Sequence, residues 1–304
     1  MDEALFARLA EWLVGDHPAV VASVTATHGA TPRKRDARML VDADRIAFSV
    51  GGGAMEARVL DAARALIRDG MEHQALRVEL NGREGAAGVC GGGMHIALRR
   101  WQGEDARCRA MQIAAQLAAG ERVELHGEEY GQPEGESHWL QPDPRLLVLG
   151  AGHCGQALAE LARHVGFETW LADDRLAEWP SPELDGVVCI DAGPVRLRAA
   201  ADTRRDLYLV LLNRDYATDV AALTALHGVR HAFLGMMGSR KRIAQVKKSL
   251  PGMDDWLREL VAPVGLEIGA QTPHEIAISI LAQLIARRAT RAGDQGEGAA
   301  FSSR

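Results

Sequence analysis

The chain has 304 residues, a formal net charge of -6, and 47% hydrophobic and 25% charged residues. This length predicts about two domains, and the composition is that of an ordinary globular protein with a sizeable core. The negative balance excludes a protein that binds nucleic acid over its whole surface, so any anion site must be a local basic cluster.

The N-terminal residues predict neither a secretory signal nor a membrane anchor. They start with acidic side chains and an amphipathic helix in which Leu5, Leu9 and Leu13 share one face. A basic start and a cleavage site are absent, and no apolar run is long enough to span a bilayer. We therefore expect a cytoplasmic protein with no membrane partner.

Cysteine usage predicts neither a zinc site nor a disulfide framework. No Cys-x-x-Cys pair and no cluster of cysteine with histidine is present. Disulfides are also disfavoured in a reducing compartment. The four cysteines are Cys90, Cys108, Cys154 and Cys189.

Short strand patterns and helical patterns alternate in the first part of the chain, which predicts an N-terminal α+β domain over residues 1–125. The helical pattern that begins after the first glycine triplet stops at Gly70, a typical helix end. The predicted strands are residues 19–27, two short strands within 37–50, residues 73–80 and residues 94–101, and the predicted helices are residues 54–70 and a segment near 108–119.

Residues 126–144 are polar and rich in glycine and proline, which predicts a linker, or an irregular hairpin that acts as one. After Pro144 the chain alternates strand and helix, and this order indicates a mainly parallel sheet with helices on both faces. The predicted fold class is therefore α/β, with a Rossmann-like domain over residues 145–290 after the α+β domain. Residues 291–304 have no periodicity and predict a mobile tail.

The first turn of the Rossmann-like domain matches the dinucleotide pattern Gly-x-Gly-x-x-Gly with Gly150, Gly152 and Gly155. It follows a predicted strand and opens a predicted helix, which is the context that the pattern requires. The glycines would let a diphosphate approach the helix N-terminus, and Asp173, or Asp174 beside it, would accept from a ribose hydroxyl. The alternative is a Rossmann-shaped domain that is kept for docking and binds no nucleotide.

A second glycine turn carries a run of cations. Ser239 is a favourable N-cap, and Arg240 and Lys241 follow it in the first helical turn. Cations at that position oppose the helix dipole, and a bound phosphate would offset them. The alternative is a solvated basic face.

Two glycine triplets, Gly51–Gly53 and Gly91–Gly93, are the costliest local feature of the chain. Glycine loses more conformational freedom on folding than any other residue, so a triplet needs a reason. Cys90 stands directly before the second triplet.

Several motifs occur together and in a fixed order: GATPR, GGAME, CGG, GAGHCGQALA, GSRKR and GLEIGAQTPHEIA. In this combination the chain resembles the XdhC/CoxI family, the xanthine dehydrogenase accessory proteins. The resemblance runs from about Val24 to Arg288. The GSRKR turn and the last block are its most specific parts.

The resemblance implies a maturation factor rather than a metabolic enzyme. Such a protein binds the molybdenum cofactor, protects it while a cysteine desulfurase helps to install its sulfido ligand, and assists its insertion into xanthine dehydrogenase or a related molybdenum hydroxylase. A homodimer is the default expectation, because two-fold dimers are the commonest oligomers. The alternative is an NAD(P)-dependent oxidoreductase that uses the Rossmann-like domain, although no catalytic arrangement is legible there.

The resemblance also implies site residues around the two triplets. They are Cys90, Gly91 and Gly92, and Gly52, Gly53 and Glu56. Many family members have a second cysteine directly after the glycine pair, where this chain has Ala54, so Cys90 is the only matching thiol.

These residue types suit an anionic pterin phosphate that carries molybdenum. Glycine turns expose backbone N–H groups that bind anions, and Arg33 begins a basic run in a chain that is negative overall. Cys90, as a thiolate, would be a soft contact for molybdenum. Glu56 would orient a backbone loop or accept from the pterin, or it would only stabilise the first turn of the following helix.

Overall fold

A computed structural model describes residues 1–80, 91–131, 137–175 and 184–298, with side chains as far as Arg291. The chain divides into two compact units, Met1–Pro142 and Asp143–Arg304. Among the described residues, no helix combines the length and the apolar character that crossing a membrane would require.

The N-terminal unit is built on an antiparallel sheet of five strands in the order β3-β2-β1-β5-β4. Its central strand β1 is buried over its first six residues because helices cover both faces of the sheet. The strands are β1 Ala19–His28, β2 Arg38–Val41, β3 Ile46–Phe48, β4 His73–Glu79 and β5 Gly93–Trp101, and the helices are α1 Asp2–Trp12, α2 Gly53–Asp69 and α3 Gly103–Ala118.

Alternate residues of β1 enter different cores, as the period of a strand requires. Val21 packs with α1 and α3 around Phe6 and Ile113. Val20 packs on the other face with α2, against Val59 and its neighbours. Helix α2 ends at Gly70, whose positive φ of 71° gives the glycine C-cap that the sequence predicts.

The segment predicted as a linker contains a strand. β6 (Val123–Leu125) pairs with β7 (His138–Leu140), and Leu140 is fully buried in the core beneath α1 and α3. The buried side chains of Leu125, Tyr130 and Leu140 tie this paired segment to the N-terminal unit, as expected of an irregular hairpin, while residues 132–136 lie outside the described residues.

The C-terminal unit has a six-stranded sheet in the order β10-β9-β8-β11-β12-β13, and every neighbouring pair of strands is parallel. This is the Rossmann order, which reverses between β8 and β11, and it confirms the predicted fold class. The strands are β8 Arg145–Leu149, β9 Glu168–Ala172, β10 Val188–Ile190, β11 Leu207–Leu211, β12 Phe233–Met236 and β13 Leu260–Val261.

Helices cover both faces of this sheet with separate apolar cores. They are α4 His153–His164, α5 Pro194–Ala201, α6 Tyr216–Leu226, α7 Arg240–Lys248, α8 Asp254–Leu257 and α9 Pro273–Gly298. The predicted capping box at the start of α9 is present: Glu275 N–H donates to Thr272 Oγ1 at 3.3 Å, and Thr272 N–H donates to Glu275 Oε2 at 2.8 Å.

Helix α9 differs from the prediction at its end. It continues to Gly298, beyond residue 291, where the sequence predicts a tail to begin. The glycines of that segment lower its helix propensity without preventing the helix, since propensity is a weak prior.

Candidate functional site

Three loops lie at one end of the N-terminal sheet. Strand pairing places the last residue of β1, His28, opposite Gly93, and the last residue of β4, Glu79, opposite the same glycine. The end of β3 lies there as well, because Phe48 pairs with Met39 near the start of β2. The loops that follow these strands carry the GATPR, GGAME and CGG motifs, so three motifs far apart in sequence share one edge.

The second triplet packs directly against the loop after β1. A Cβ on Gly92 would lie 2.3 Å from the Ala30 carbonyl oxygen and 2.4 Å from that of His28. A Cβ on Gly93 would lie 2.2 Å from the His28 ring. Backbone atoms cannot yield at these distances, so Gly92 is required by close packing of two chain segments.

The contact is reciprocal, because Gly29 faces the triplet with a positive φ of 63°. A Cβ on Gly29 would lie 2.8 Å from the Gly91 carbonyl oxygen. Gly91 itself has φ of 80°, and no atom of the described residues lies within 4 Å of where its Cβ would be. Gly91 therefore serves a backbone conformation, and its outer face is open.

The first triplet is joined to the same loop through Pro32. A Cβ on Gly51 would lie 2.7 Å from Pro32 Cγ. Gly51, Gly52 and Gly53 all have positive φ, at 141°, 77° and 65°. In the part of the chain that the structure describes, nothing lies within 4 Å of a Cβ on Gly52 or Gly53, so the backbone of this turn is open to approach from those residues' outer side.

Glu56 holds the turn before α2. Its Oε2 accepts from Gly52 N–H at 3.1 Å and from Ser49 Oγ at 2.5 Å, and Ser49 Oγ accepts from Gly51 N–H at 3.0 Å. Burial raises the pKa of Glu56, but the hydrogen bonds from Ser49 and Gly52 outweigh it and leave the pKa below its usual value. These contacts hold the loop that precedes α2, and the role of Glu56 toward a cofactor stays a prediction.

The start of α2 keeps donors available. Among the described residues, the backbone N–H groups of Gly53, Ala54 and Met55 have no hydrogen-bond partner, and α2 has no side-chain cap. Unpaired N–H groups at the start of a 17-residue helix carry partial positive charge. The turn is thus electrostatically suited to an anion.

Cations lie in the loop that touches both triplets. Arg33 and Lys34 are exposed and form no ion pair within the described part of the chain. Arg35 differs, since its Nε lies 3.8 Å from Asp36 Oδ1. The unpaired cations and the open N–H groups belong to loops that contact each other through Pro32.

Cys90 lies outside the described residues, so its molybdenum contact stays a prediction. Its neighbour Gly91 is fixed at the base of the β4–β5 hairpin, where Gly91 N–H donates to the Leu80 carbonyl at 2.7 Å. Within the ranges that the structure describes, no group of three His, Cys, Asp or Glu side chains is placed to hold a metal ion.

Glycine is needed for different physical reasons at the three positions of the Rossmann turn. A Cβ on Gly155 would lie 1.9 Å from the Gly150 carbonyl oxygen, and a Cβ on Gly150, whose φ is 112°, would lie 2.7 Å from the Leu212 carbonyl oxygen. A Cβ on Gly152 would meet no described residue within 4 Å. The outer two glycines are thus steric requirements of the fold, and the middle one leaves the turn open where a diphosphate approaches in this fold.

Asp173 is fully engaged by the protein itself. Oδ1 accepts from the backbone N–H and from Nε of Arg175 at 2.9 and 3.1 Å, and Oδ2 accepts from Ala151 N–H at 2.8 Å and from Arg175 Nη2 at 3.0 Å. Burial raises the pKa of Asp173, but the hydrogen bonds from Arg175 and Ala151 bring it below its usual value. The carboxylate ties the glycine turn to the end of β9.

A cavity of about 350 Å³ lies at the carboxyl ends of β9, β10 and β11. Its lining is residues 173–175, Ala192, residues 213–215 and Thr218. This is the edge of a Rossmann sheet at which ligands bind, and the volume lies within the range of small-molecule sites.

The GSRKR turn lies behind one wall of this cavity and supports it through Arg242, without lining it. Ser239 caps α7 by accepting from Arg242 N–H at 3.3 Å, as the sequence predicts. Arg240 and Lys241 are exposed. The side chain of Arg242 pairs with the fully buried Asp219 and donates to three consecutive backbone carbonyls, those of residues 213–215, at 2.8 to 2.9 Å.

Sequence reasoning missed the roles of Arg242 and Asp219. Arg242 ends the GSRKR motif, so the motif itself was the available signal. Asp219 had none, because an aspartate in the first turns of a helix is normally exposed, whereas this one is enclosed by α6 and α7.

Each of the two units matches a family model of known proteins. The model of the XdhC and CoxI family matches residues 12–79, and that of the XdhC Rossmann domain matches residues 146–284, in the same order along the chain. This chain belongs to the XdhC and CoxI family. Its N-terminal and Rossmann units correspond to the two matched domains.

Two curated proteins are similar to parts of this chain. The protein is 28% identical over 276 residues to YqeB of Escherichia coli K12, which covers 88% of this chain and 43% of that protein. It is 32% identical over 152 residues to a probable xanthine dehydrogenase subunit of Bacillus subtilis 168, covering 49% of this chain and 44% of that one. The chain therefore spans less than half the length of these two relatives.

A third relative matches along most of its length. It is the "molybdenum cofactor insertion chaperone PaoD" of Escherichia coli K12, 24% identical over 301 residues that cover 91% of this chain and 86% of PaoD. Among solved structures, a protein described as a xanthine dehydrogenase (BH1974) of Bacillus halodurans superposes with a TM-score of 0.79 over 95% of this chain and 96% of its own. At 24% identity, that likeness establishes the fold alone.

Proposed function

We propose that this XdhC/CoxI protein acts in the maturation of a molybdenum hydroxylase of the xanthine dehydrogenase type. It would bind the molybdenum cofactor, protect it while a cysteine desulfurase supplies the sulfido ligand, and help insert it into the enzyme. Family membership and the similarity to PaoD support this role. The observation that carries it is the convergence of the GATPR, GGAME and CGG motifs at one edge of the N-terminal sheet.

The residues at this edge fit an anionic pterin phosphate. The unpaired N–H groups at the start of α2 and the exposed cations Arg33 and Lys34 offer two kinds of anion donor in adjoining loops. Gly52 and Gly53 leave the turn without side chains, so a phosphate can reach the backbone. Glu56 has a positioning role here, because it fixes the turn from the inside.

Cys90 is assigned the molybdenum end in this proposal. It directly precedes Gly91, whose backbone is fixed beside the loop that carries Arg33. A thiolate is a soft ligand and suits a molybdenum centre with terminal sulfur. The bound cofactor would supply the redox centre of the recipient enzyme, and this chain would be a carrier rather than a catalyst.

The experiment compares Cys90→Ser with Cys108→Ser. Cys108 is exposed on α3 and hydrogen-bonds to Glu104, so it provides a matched thiol outside the candidate site. Each variant is purified after co-expression with the cofactor pathway, and bound molybdenum and pterin are measured together with activation of a cofactor-free xanthine dehydrogenase. Loss of one charge-assisted contact, about 1.5–3 kcal/mol, predicts a roughly tenfold to hundredfold loss of retention for Cys90→Ser only. Full retention and activation by that variant would contradict the role of the thiol.

A second candidate function, an NAD(P)-dependent oxidoreductase, is favoured by the open Gly152 and the cavity beside it. An assay of NADH or NADPH oxidation distinguishes it from the maturation role. An oxidoreductase would consume NADH or NADPH with a suitable acceptor, whereas a carrier would bind cofactor without oxidising the nicotinamide.

A further inference from the structure

The cavity of the Rossmann unit is lined only by residues of that unit, and the proposed function does not assign it a ligand. It lies across the carboxyl ends of β9, β10 and β11, on both sides of the point where the strand order reverses. A ligand there would face the open side of the Gly150–Gly155 turn, because this turn follows β8 and β8 lies between β9 and β11 in the sheet.

The residue that normally reads the ribose in this fold is not available. An acid at the end of the second strand usually accepts from the ribose hydroxyls. Here that acid is Asp173, and each of its oxygens already accepts two hydrogen bonds, from Arg175 and Ala151. A carboxylate has about four acceptor positions, so a ribose hydroxyl would have to displace an internal donor.

The next residue offers what Asp173 cannot. Asp174 is exposed and lines the cavity. Its Oδ1 accepts from Ala192 N–H at 2.9 Å, which fixes the side chain between the ends of β9 and β10. Within the described residues, Oδ2 accepts no hydrogen bond and no cation pairs with this carboxylate.

The opposite wall is rigid and carries a second carboxylate. Asp215 caps α6 by accepting from Thr218 N–H at 2.9 Å, and both residues line the cavity. Arg242 fixes this wall through the carbonyls of residues 213–215. The cavity thus presents hydrogen-bond acceptors on two held walls, which suit hydroxyl groups. Arg175 and Arg214 also line it, and Arg175 is already paired with Asp173 at 3.0 Å.

We propose that this cavity binds the nucleoside end of a nucleotide whose ribose carries free hydroxyls, that Asp174 rather than Asp173 accepts from them, and that the Gly150–Gly155 turn faces the phosphates. A ribose with a 2′-phosphate is disfavoured, because that group would meet the Asp174 carboxylate. The inference shares with the oxidoreductase candidate only the binding of a nucleotide and is independent of the molybdenum cofactor.

The test measures binding by calorimetry, with ADP-ribose and its 2′-phosphorylated form as probes and the full chain as the protein. ADP-ribose should bind at least about tenfold more tightly than the 2′-phosphorylated probe, as expected for losing a hydrogen bond to a charged group. Asp174→Asn should weaken ADP-ribose by a similar factor and narrow the difference between the probes. Asp185→Asn, at an exposed aspartate of the same unit, should change neither affinity.

Asp173→Asn separates the two acids. Because Asp173 ties the glycine turn to β9, this change should lower the melting temperature, whereas Asp174→Asn should leave it unchanged. The proposal is overturned if neither probe binds the wild-type protein at millimolar concentration, if the 2′-phosphorylated probe binds better, or if Asp174→Asn leaves both affinities unchanged. Because the readout is binding, a positive result leaves nicotinamide turnover to a separate assay, whereas the absence of binding would also count against the oxidoreductase candidate. Molybdenum retention is measured independently of these probes.

Discussion

Replacing Arg242 by alanine should destabilise the Rossmann unit through Asp219. Asp219 is fully buried, and its Oδ2 lies 2.9 Å from Arg242 Nε. Asn213 Nδ2 would still donate to Oδ1 at 3.1 Å, but the carboxylate would lose the cation that pairs with it. Removing one partner of a buried pair costs about 3–5 kcal/mol, because the remaining charge is left uncompensated.

The same magnitude sets the size of the thermal effect. For a unit of this length, 1 kcal/mol shifts the melting temperature by roughly 2–4 °C, so Arg242→Ala should lower it by about 6–20 °C. Loss of the hydrogen bonds from Arg242 to the backbone carbonyls should destabilise the unit less, because water can replace the donor at the exposed residues Arg214 and Asp215.

The loss should depend on pH in a definite direction. Burial raises the pKa of Asp219, and the hydrogen bonds from Arg242 and Asn213 lower it only in part. Without Arg242 the pKa of Asp219 rises further. A carboxyl whose pKa is raised in the folded state stabilises the fold when the pH is below its pKa in the unfolded chain, and it loses that contribution as the pH rises through the folded-state pKa. The deficit of Arg242→Ala should therefore be largest at neutral pH and shrink toward pH 4.

Calorimetric or circular-dichroism melting from pH 4 to pH 8 measures both quantities. Lys241→Ala is the matched control, because it removes the neighbouring cation, which is exposed, and should change stability by less than about 0.5 kcal/mol. If the two variants melt alike, or if the deficit of Arg242→Ala grows as pH falls, then the buried pair does not hold this unit together.

Three further outcomes test the two sites. Arg33→Ala combined with Lys34→Ala should weaken retention of the molybdenum cofactor by roughly tenfold with an unchanged melting temperature, since both cations are exposed; a lower melting temperature with normal retention would assign them a structural role. Glu56→Gln should remove a contribution to stability that is present above the usual glutamate pKa and lost as pH falls through the lowered value, which acid titration of unfolding will detect; an unchanged acid limb would refute it. Gly155→Ala should disrupt the unit, because its Cβ would lie 1.9 Å from a backbone oxygen, while Gly152→Ala should melt normally and lose only nucleotide affinity; equal melting of the two would contradict the assigned roles.

Local features of the fold were predictable because their causes are local. The alternation of strands and helices after Pro144 indicated the parallel sheet, and its order is the Rossmann one. The capping box at Thr272 and Glu275, the cap at Ser239 and the end of α2 at Gly70 follow from side chains within four residues of the cap. Such interactions need no knowledge of distant segments.

The details of the sites were not predictable, because they join segments far apart in the chain. The motif pattern indicates that Gly92 matters, but only the contact with Ala30, more than sixty residues away, shows that packing is the reason. In the same way, a fingerprint suggests Asp173 as a ribose acceptor, and only its bonds to Arg175 and Ala151 show that it is occupied. Sequence position identifies the residue, and tertiary contacts decide its role.

The contact between Gly29 and Gly91–Gly92 bears on how this family can vary in length. Leu80 is held to the triplet by two backbone hydrogen bonds, Gly91 N–H to the Leu80 carbonyl and Leu80 N–H to the Gly92 carbonyl, at 2.7 and 2.8 Å. Doubling the number of residues between two fixed ends costs only about 0.6 kcal/mol of closure entropy. Insertions between Leu80 and Cys90 should therefore cost little and leave Gly91 in place, whereas no substitution at Gly92 is free of a backbone clash.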